Sequence, residues 1–209
     1  MRTALTFLLI FIYAVLVPPV GAQDAYVLTP ESRLRIEGTS TIDRFTCEAE
    51  TIVGSGHLQG SHGIAGEKSR IGSEEAGVEL VVPVESFDCG KARMNRDMYE
   101  ALKASSHPEI GFLLDGVEVV DSNPDGDEYN LRATGRLRLA GEERQVTLSV
   151  RGTNLPDGRL SATGAVDLLM SDFGITPPTA LLGLVRARDQ ITVAFELFGV
   201  REAVAQAYR

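Results

Sequence analysis

Between Glu128 and Leu139 the side chains change character at every step. Tyr129, Leu131, Ala133, Gly135, Leu137 and Leu139 take one parity, and Glu128, Asn130, Arg132, Thr134, Arg136 and Arg138 take the other. A strand turns successive side chains to opposite faces, so this is a ribbon with one apolar and one polar side. The same alternation returns in Val146, Leu148, Val150, in Leu160, Ala162, Gly164, Val166, Leu168, and in Ile191, Val193, Phe195, Leu197. A chain that repeats it forms an antiparallel sheet around an apolar interior. Whether side chains fill that interior or leave it open for a ligand decides what the protein can do.

The punctuation between these ribbons is turn chemistry: Asp121 to Asp127, Ala140-Gly141-Glu142-Glu143 and Leu155-Pro156-Asp157-Gly158. Those spacings predict a meander of hairpins. Upstream, short strands are predicted at Tyr26–Leu28 and Leu34–Glu37, and a longer one from Ser40 to Val53. The apolar parity of the last changes between Ile42 and Phe45, Cys47, predicting a bulge near Asp43-Arg44. Gly54 to Gly66, with His57 and His62, reads as a polar hairpin or loop. Val78, Leu80, Val82 and Val84 form another apolar face, where Pro83 suits an edge or a strand end. Met94, Met98, Ala101 and Leu102 at helical spacing predict one internal helix over Ala92–Ala104, stopped by Ser105-Ser106-His107-Pro108. The strand Ile110, Phe112, Leu114, then Val117, Val119, slips parity at Asp115-Gly116, which predicts a second bulge. The pattern lapses from Ser171 to Leu184, with room for one helical turn, before a last strand over Gln190–Val200 and a short helical tail to Arg209. The count is about eight strands, enough for a closed barrel, with an open sandwich as the alternative.

Residues 1–22 have the form of a secretory signal: Arg2 at the start, an apolar run from Ala4 to Val17, and small residues Val20-Gly21-Ala22 before a mature start near Gln23. Pro18 and Pro19 cut the run short of the roughly 20 apolar residues a membrane anchor needs. No stable membrane insertion is therefore expected after cleavage, and the location is periplasmic or secreted. Residues 23–209 have the length of a single domain. The formal net charge of −9 repels phosphate backbones, and the basic residues are scattered, so no nucleic acid is expected as a partner. The same charge disfavours attraction to anionic membrane surfaces. Cys47 and Cys89 are the two cysteines; in an oxidising compartment they pair as a disulfide, whereas a nucleophilic Cys89 would have only Lys91 and Arg93 nearby to lower its pKa.

Val82-Pro83-Val84-Glu85-Ser86-Phe87-Asp88, then Asn95-Arg96-Asp97 with a helix to Leu102-Lys103, then His107-Pro108-Glu109-Ile110-Gly111-Phe112, resembles the central signature of the YceI-like family of exported proteins. Gly135 to Gly141 with Arg144-Gln145-Val146, and Asp172-Phe173-Gly174-Ile175, extend the resemblance over about Tyr26 to Val200. It implies a lipocalin-like antiparallel barrel whose elongated apolar cavity holds a polyisoprenoid or similar long-chain lipid. In many relatives the helix reads Arg-Asp-x-His-Leu; here Tyr99 holds the histidine's place, so no histidine role carries over.

A lipid cavity needs apolar walls and few polar groups. The candidate ligand-binding residues are Phe112, Leu114, Tyr129, Leu131, Leu137, Leu139, Val146, Leu148, Val150, Leu160, Ala162, Met170, Phe173 and Phe195, with Ala133, Gly135, Ala162 and Gly164 leaving room. The alternative is that these side chains simply pack on one another. Phe173, Ile175, Leu181, Leu182 and Leu184 either line an entrance or plug the barrel end. Arg96, Arg186 and Arg188, with Arg93, are candidates to meet an anionic head group, or else they stay solvated or pair with Asp97, Glu100 or Asp189. His57, His62 and His107 lack zinc-site spacing, and no Gly-x-Ser-x-Gly, phosphate loop or dinucleotide fingerprint is present, so neither an enzyme nor a cofactor is expected. The expectation is an all-β, eight-stranded lipocalin-like barrel with one inserted helix that sequesters or carries an isoprenoid or quinone-like lipid. Its rival is a ligand-free barrel acting through its outer surface as a stress-related or partner-binding protein.

Overall fold

In the computed structural model, which describes residues 23–59, 70–72, 76–180 and 184–205, the alternating runs become the long strands of a meander. These are β8 (Glu109–Ser122), β9 (Glu128–Leu139), β10 (Glu142–Asn154), β11 (Leu160–Leu169) and β13 (Val185–Arg201). Preceding them are β1 (Gln23–Leu28), β2 (Arg33–Ser40), β3 (Arg44–Ala49), β4 (Val53–Gln59), β5 (Arg70–Gly72), β6 (Ala76–Pro83) and β7 (Phe87–Asp88), with the helix α1 (Ala92–Ala101) before β8. A two-stranded ribbon joins β12 (Thr179–Ala180) to the start of β13, and α2 (Glu202–Ala205) follows it.

The strands run β1-β4-β6-β8-β9-β10-β11-β13, and β13 returns to β1. The result is a closed antiparallel barrel of eight staves. Three staves are interrupted. The end of β13 pairs with β1 (Leu28↔Gly199), and its earlier part pairs with β2 (Arg33↔Glu196). Likewise β3 and β4 share a stave, and β7 prolongs β6 to pair with β3 (Ala49↔Phe87). At the first interruption Ser32 is tied to Phe198: its hydroxyl accepts from the Phe198 N–H at 3.0 Å. Among the described residues, closure leaves no long unpaired edge in the ring.

Several expectations need correction. The parity change at Asp43-Arg44 is a hairpin turn, not a bulge. The Ser40 N–H donates to the Asp43 carbonyl at 2.7 Å, the Ser40 hydroxyl does so at 2.9 Å, and β2 and β3 pair on either side. Gly54 to Gln59, at the head of the segment expected as a polar hairpin or loop, is the hairpin arm β4, paired with β6. Its glycine is a packing device, since a Cβ on Gly54 would stand 2.6 Å from Leu80 and 2.8 Å from Leu28. The bulge at Asp115-Gly116 is where it was expected, as a register shift between Leu114 and Gly116. The helix stops at Ala101, before the serines and the proline. Lys103 is left-handed (φ 56°), and the N–H groups of Lys103 and Ala104 donate to the Glu100 and Tyr99 carbonyls, a Schellman ending with lysine in glycine's usual place. Ala140 and Gly141 (φ 52° and 90°) make a two-residue hairpin turn of the type whose twist matches its strands. The last strand starts five residues before its expected beginning. Residues 1–22, His62, Leu181, Leu182 and the tail beyond residue 205 lie outside the described residues.

The largest cluster of buried side chains lies at one end of the barrel. Val84 and Phe87 from the link after β6, Leu102 and Ala104 after α1, Leu139 and Ala140 at the β9–β10 turn, and Met170, Phe173 and Ile175 after β11 form one cluster. This is a plug, and Cys47–Cys89 is bonded at its side, fastening β3 to the lead-in of α1. Closing a loop of 42 residues stabilises the fold by about 4 kcal/mol in the chain-entropy treatment.

Candidate functional site

Beyond the plug the barrel is hollow. A cavity of about 520 Å³ runs along its axis, inside the range of about 300–1,000 Å³ that small-molecule sites occupy. Its lining follows β9 from Leu139 to Leu131; at about 3.3 Å per residue and the usual barrel tilt, that is a depth of about 20 Å. The wall is made by strand parity. Leu131, Leu137, Val146, Leu148, Val150, Ala162, Val166, Val193 and Phe195 all turn inward, yet all are only half-buried, because the space they face is empty.

Three aromatic rings keep that space open. Phe112 lies on Gly135, Phe195 on Gly164 and Phe45 on Gly38; a Cβ at these glycines would stand 2.5, 2.6 and 2.3 Å from the respective rings. Each ring fills the place of a missing side chain and stays flat on the wall, the arrangement known as aromatic rescue of strand glycines. Ala133 and Ala162 line the cavity themselves, as the sequence suggests, whereas Gly135 and Gly164 do not leave room directly. The two glycines let their rings retreat.

The polar groups on the lining are Ser40, Asp43, Arg44, Lys91, Asp97 and Thr179, and all lie at the plugged end, beside the plug. There the mouth opens between the β2–β3 turn, the start of α1, and Pro178, Thr179 and Val185. Asp97 pairs with Arg93 at 3.7 Å, and the Asp43 carboxylate accepts from the Arg44 N–H at 2.7 Å. Below the rim no charged or hydrogen-bonding side chain lines the cavity among the described residues. Such a chamber can desolvate an extended apolar chain, at roughly 0.8 kcal/mol per CH₂ removed from water, and can contact a polar end group only at its opening.

All the candidate wall residues line the cavity except Tyr129, Leu160 and Phe173. Phe173, 2% exposed, is part of the plug, and so is Ile175, although Ile175 also reaches the lining. Tyr129 and Leu160 sit past the inner end of the cavity, where the Tyr129 hydroxyl donates to the Gly126 carbonyl in the β8–β9 turn. Arg96, Arg186 and Arg188 are exposed and do not line the cavity. Parity explains the last two, because Val185 and Ala187 take the inward positions of that strand. Asp189 accepts from the N–H and hydroxyl of Ser171. The cations at the mouth are Arg44 and Lys91, which sequence reasoning missed because each stands beside a turn, where parity has no meaning. Met94, Met98 and Ala101 also line the mouth; their helical spacing was the available signal.

The rim is braced from α1. The side chain of Asn95 accepts from the Cys89 N–H at 2.8 Å and donates to Asp88 at 3.0 Å, and with the Gly90 N–H it holds the Asp88 carboxyl below the usual carboxylate range. Tyr99, in the histidine's place, donates to the Phe87 carbonyl at 2.6 Å; burial first, and then the charges of Asp88, Glu85 and Glu50, push its phenol above its ordinary pKa. Met98 Sδ touches Cys89 Sγ at 3.4 Å, a packing contact, since a disulfide sulfur carries no proton. His57 and His107 lie against Gly77 and Gly141 as packing groups. Among the described residues no group of three or more His, Cys, Asp or Glu could hold a metal ion, and no helix is long and apolar enough to cross a membrane.

Residues 32–198 match the family model described as the YceI-like domain. In three dimensions the chain is similar to the crystal structure of Burkholderia cenocepacia BcnA, with a TM-score of 0.60 and 16% identity over 80% of this chain and 95% of that one. It is similar also to a polyisoprenoid binding domain from Saccharophagus degradans implicated in plant cell wall breakdown, with a TM-score of 0.62 and 14% identity over 85% and 99% of the two chains. No curated protein matches the sequence.

Proposed function

The chain belongs to the YceI-like family, and from that premise we propose that it is an exported binding protein that sequesters or carries one long-chain lipid of the isoprenoid or quinone-like class. The observation that carries this reading is the distribution of polarity in the cavity: an apolar bore with every polar lining group at one end. A molecule with a long hydrocarbon tail and a small polar head matches that gradient, tail inward and head at the mouth. The name of the Saccharophagus domain points to the same ligand class. Binding is desolvation alone, with no bond made or broken and no cofactor involved.

Export is part of the proposal. Residues 1–22 have the form of a cleavable signal, and the Cys47–Cys89 bond suits an oxidising compartment, periplasmic or extracellular. The wall residues Phe112, Leu114, Leu131, Leu137, Leu139, Val146, Leu148, Val150, Ala162, Met170 and Phe195 hold the tail, and Arg44 and Lys91 are the cations placed to meet an anionic head.

Organic extraction of the purified protein followed by mass spectrometry tests the reading. A stoichiometric lipid with a prenyl or comparably long tail is the expected result. An empty extract, together with failure to take up a prenyl alcohol or a quinone added in detergent, would leave a ligand-free barrel that works through its outer surface.

A further inference from the structure

The most exposed large apolar side chains among the described residues are Leu184, 78% exposed, and Ile42, 73% exposed. The other exposed ones are Val53 on β4, Leu113 and Val120 seven residues apart on β8, and Leu169 on β11. Leu184 and Ile42 share one lip of the cavity mouth. The Thr41 hydroxyl donates to the Leu184 carbonyl at 3.3 Å, the Thr41 N–H donates to the Arg186 carbonyl at 3.0 Å, and Ser40 pairs with Ala187. Two segments about 140 residues apart in sequence are thus clamped together so that both apolar side chains project from one ledge. Water gives no reason to hold them there; single exposed apolar residues are ordinary, but a fixed pair at the door of an apolar chamber is not.

The ledge is continuous with the cavity, because Ile42, Val185 and Pro178 also belong to its lining. Exposed cations stand on the same segments: Arg44 after the turn, Arg186 and Arg188 on β13, with Lys91 facing them across the mouth. The chain as a whole carries a formal charge of −9; with Asp43, Asp97 and Asp189 standing among these cations, and Asp97 paired with Arg93, the mouth is a mixed rim, a local departure from the general acidity of the molecule. A surface that accepts two apolar side chains and attracts cations, and that contains long-tailed lipid, is an anionic bilayer.

We propose that this mouth docks on the surface of an anionic lipid bilayer, with Ile42 and Leu184 entering the interface and Arg44, Arg186, Arg188 and Lys91 meeting lipid phosphates, so that a ligand passes between membrane and cavity without crossing water. The net negative charge of the remaining surface keeps the contact shallow and reversible. The proposal rests on the lipid-carrier function, but its test does not use the cargo.

Flotation of the mature protein with vesicles is the experiment. One set is phosphatidylethanolamine with phosphatidylglycerol, the other phosphatidylcholine alone. The wild-type protein is expected to float with the anionic set about tenfold more than with the neutral one, and to be released by about 0.5 M NaCl. L184D and the double variant I42D/L184D are expected to lose binding about tenfold. R186E/R188E, which leaves the cavity lining untouched, should lose it likewise. Thermal melts check that each variant is folded. Equal flotation with both vesicle types, no flotation with either, or unchanged binding by I42D/L184D would overturn the proposal. Mass spectrometry of extracted lipid and uptake of an added prenyl alcohol, run in parallel, separate the outcomes: lipid bound without docking sinks the docking alone, and docking with neither extracted lipid nor uptake sinks the carrier.

Discussion

The plug and the bore of this barrel are built from the same residue types and have opposite packing. At the plug, Val84, Phe87 and Phe173 are 1–2% exposed and meet side chains on every side. A few residues deeper, Leu137, Val146, Leu148 and Val150 face the same axis and stay half-open. Hydrophobicity cannot account for the difference. What separates the regions is what comes in from outside the sheet: links and turns after β6, α1, β9 and β11 push side chains into one end, while elsewhere the Phe rings lie back on glycines. An eight-stranded barrel can be filled by its own side chains or hold one small ligand; here the insertions close the plug, and the glycine-backed rings leave the bore open.

That contrast can be broken most forcefully at the plug. Phe173→Ala should lower stability by about 3–5 kcal/mol, as large-to-small changes in close-packed sites do, and a urea denaturation midpoint would show it. A loss below about 1 kcal/mol would mean that the plug is as loose as the bore. Next comes Gly164→Ala, which puts a Cβ 2.6 Å from the Phe195 ring and 2.7 Å from the Ser149 carbonyl. We expect a cost of about 1–3 kcal/mol and a Phe195 ring displaced into the cavity, read as reduced uptake of a fluorescent prenyl probe. Leu148→Ala sharpens the comparison from the other side. No new cavity opens where one already exists, so the stability change should stay near 1 kcal/mol while lipid retention falls.

The smallest effect concerns the brace. Tyr99→Phe should remove about 1 kcal/mol through the bond to the Phe87 carbonyl. The Tyr99 pKa is raised in the folded state, so this contribution is complete at every pH below the ordinary phenol pKa of 10.0 and disappears as pH rises through the raised value. The difference between wild type and variant should therefore be constant from neutral pH to mild alkali and shrink above it, measurable by denaturant melts across the alkaline range.

The meander was legible in the sequence because its strands are long and their alternation is unbroken, and because Asn123 to Asp127, Ala140-Gly141 and Pro156 to Gly158 are turn chemistry of the plainest kind. The bulge at Asp115-Gly116 and the pairing of Cys47 with Cys89 were legible too. The first staves were not. A strand such as Val53–Gln59 contains Gly54, which lets Leu28 and Leu80 approach, and Gly56, which lies against Gly77 and Val78, and that purpose exists only once the neighbours are in place. A tight hairpin at Ser40–Asp43 and a bulge shift parity in the same way, so one was mistaken for the other. For the site, parity identified the walls and failed at both ends. It could not place Tyr129 and Leu160 past the inner limit or Phe173 in the plug, and it could not find Arg44 and Lys91, which stand where strands stop.

Strand β13 also carries a consequence for how the molecule comes into being. It pairs with β1, β2 and β11, and Ser32 is bonded to a residue 166 positions away. The opening strands therefore have no permanent neighbour on one flank until the final segment of the chain has emerged. Contacts of such long sequence range make folding slow, so the barrel closes only when β13 has reached both β1 and β11.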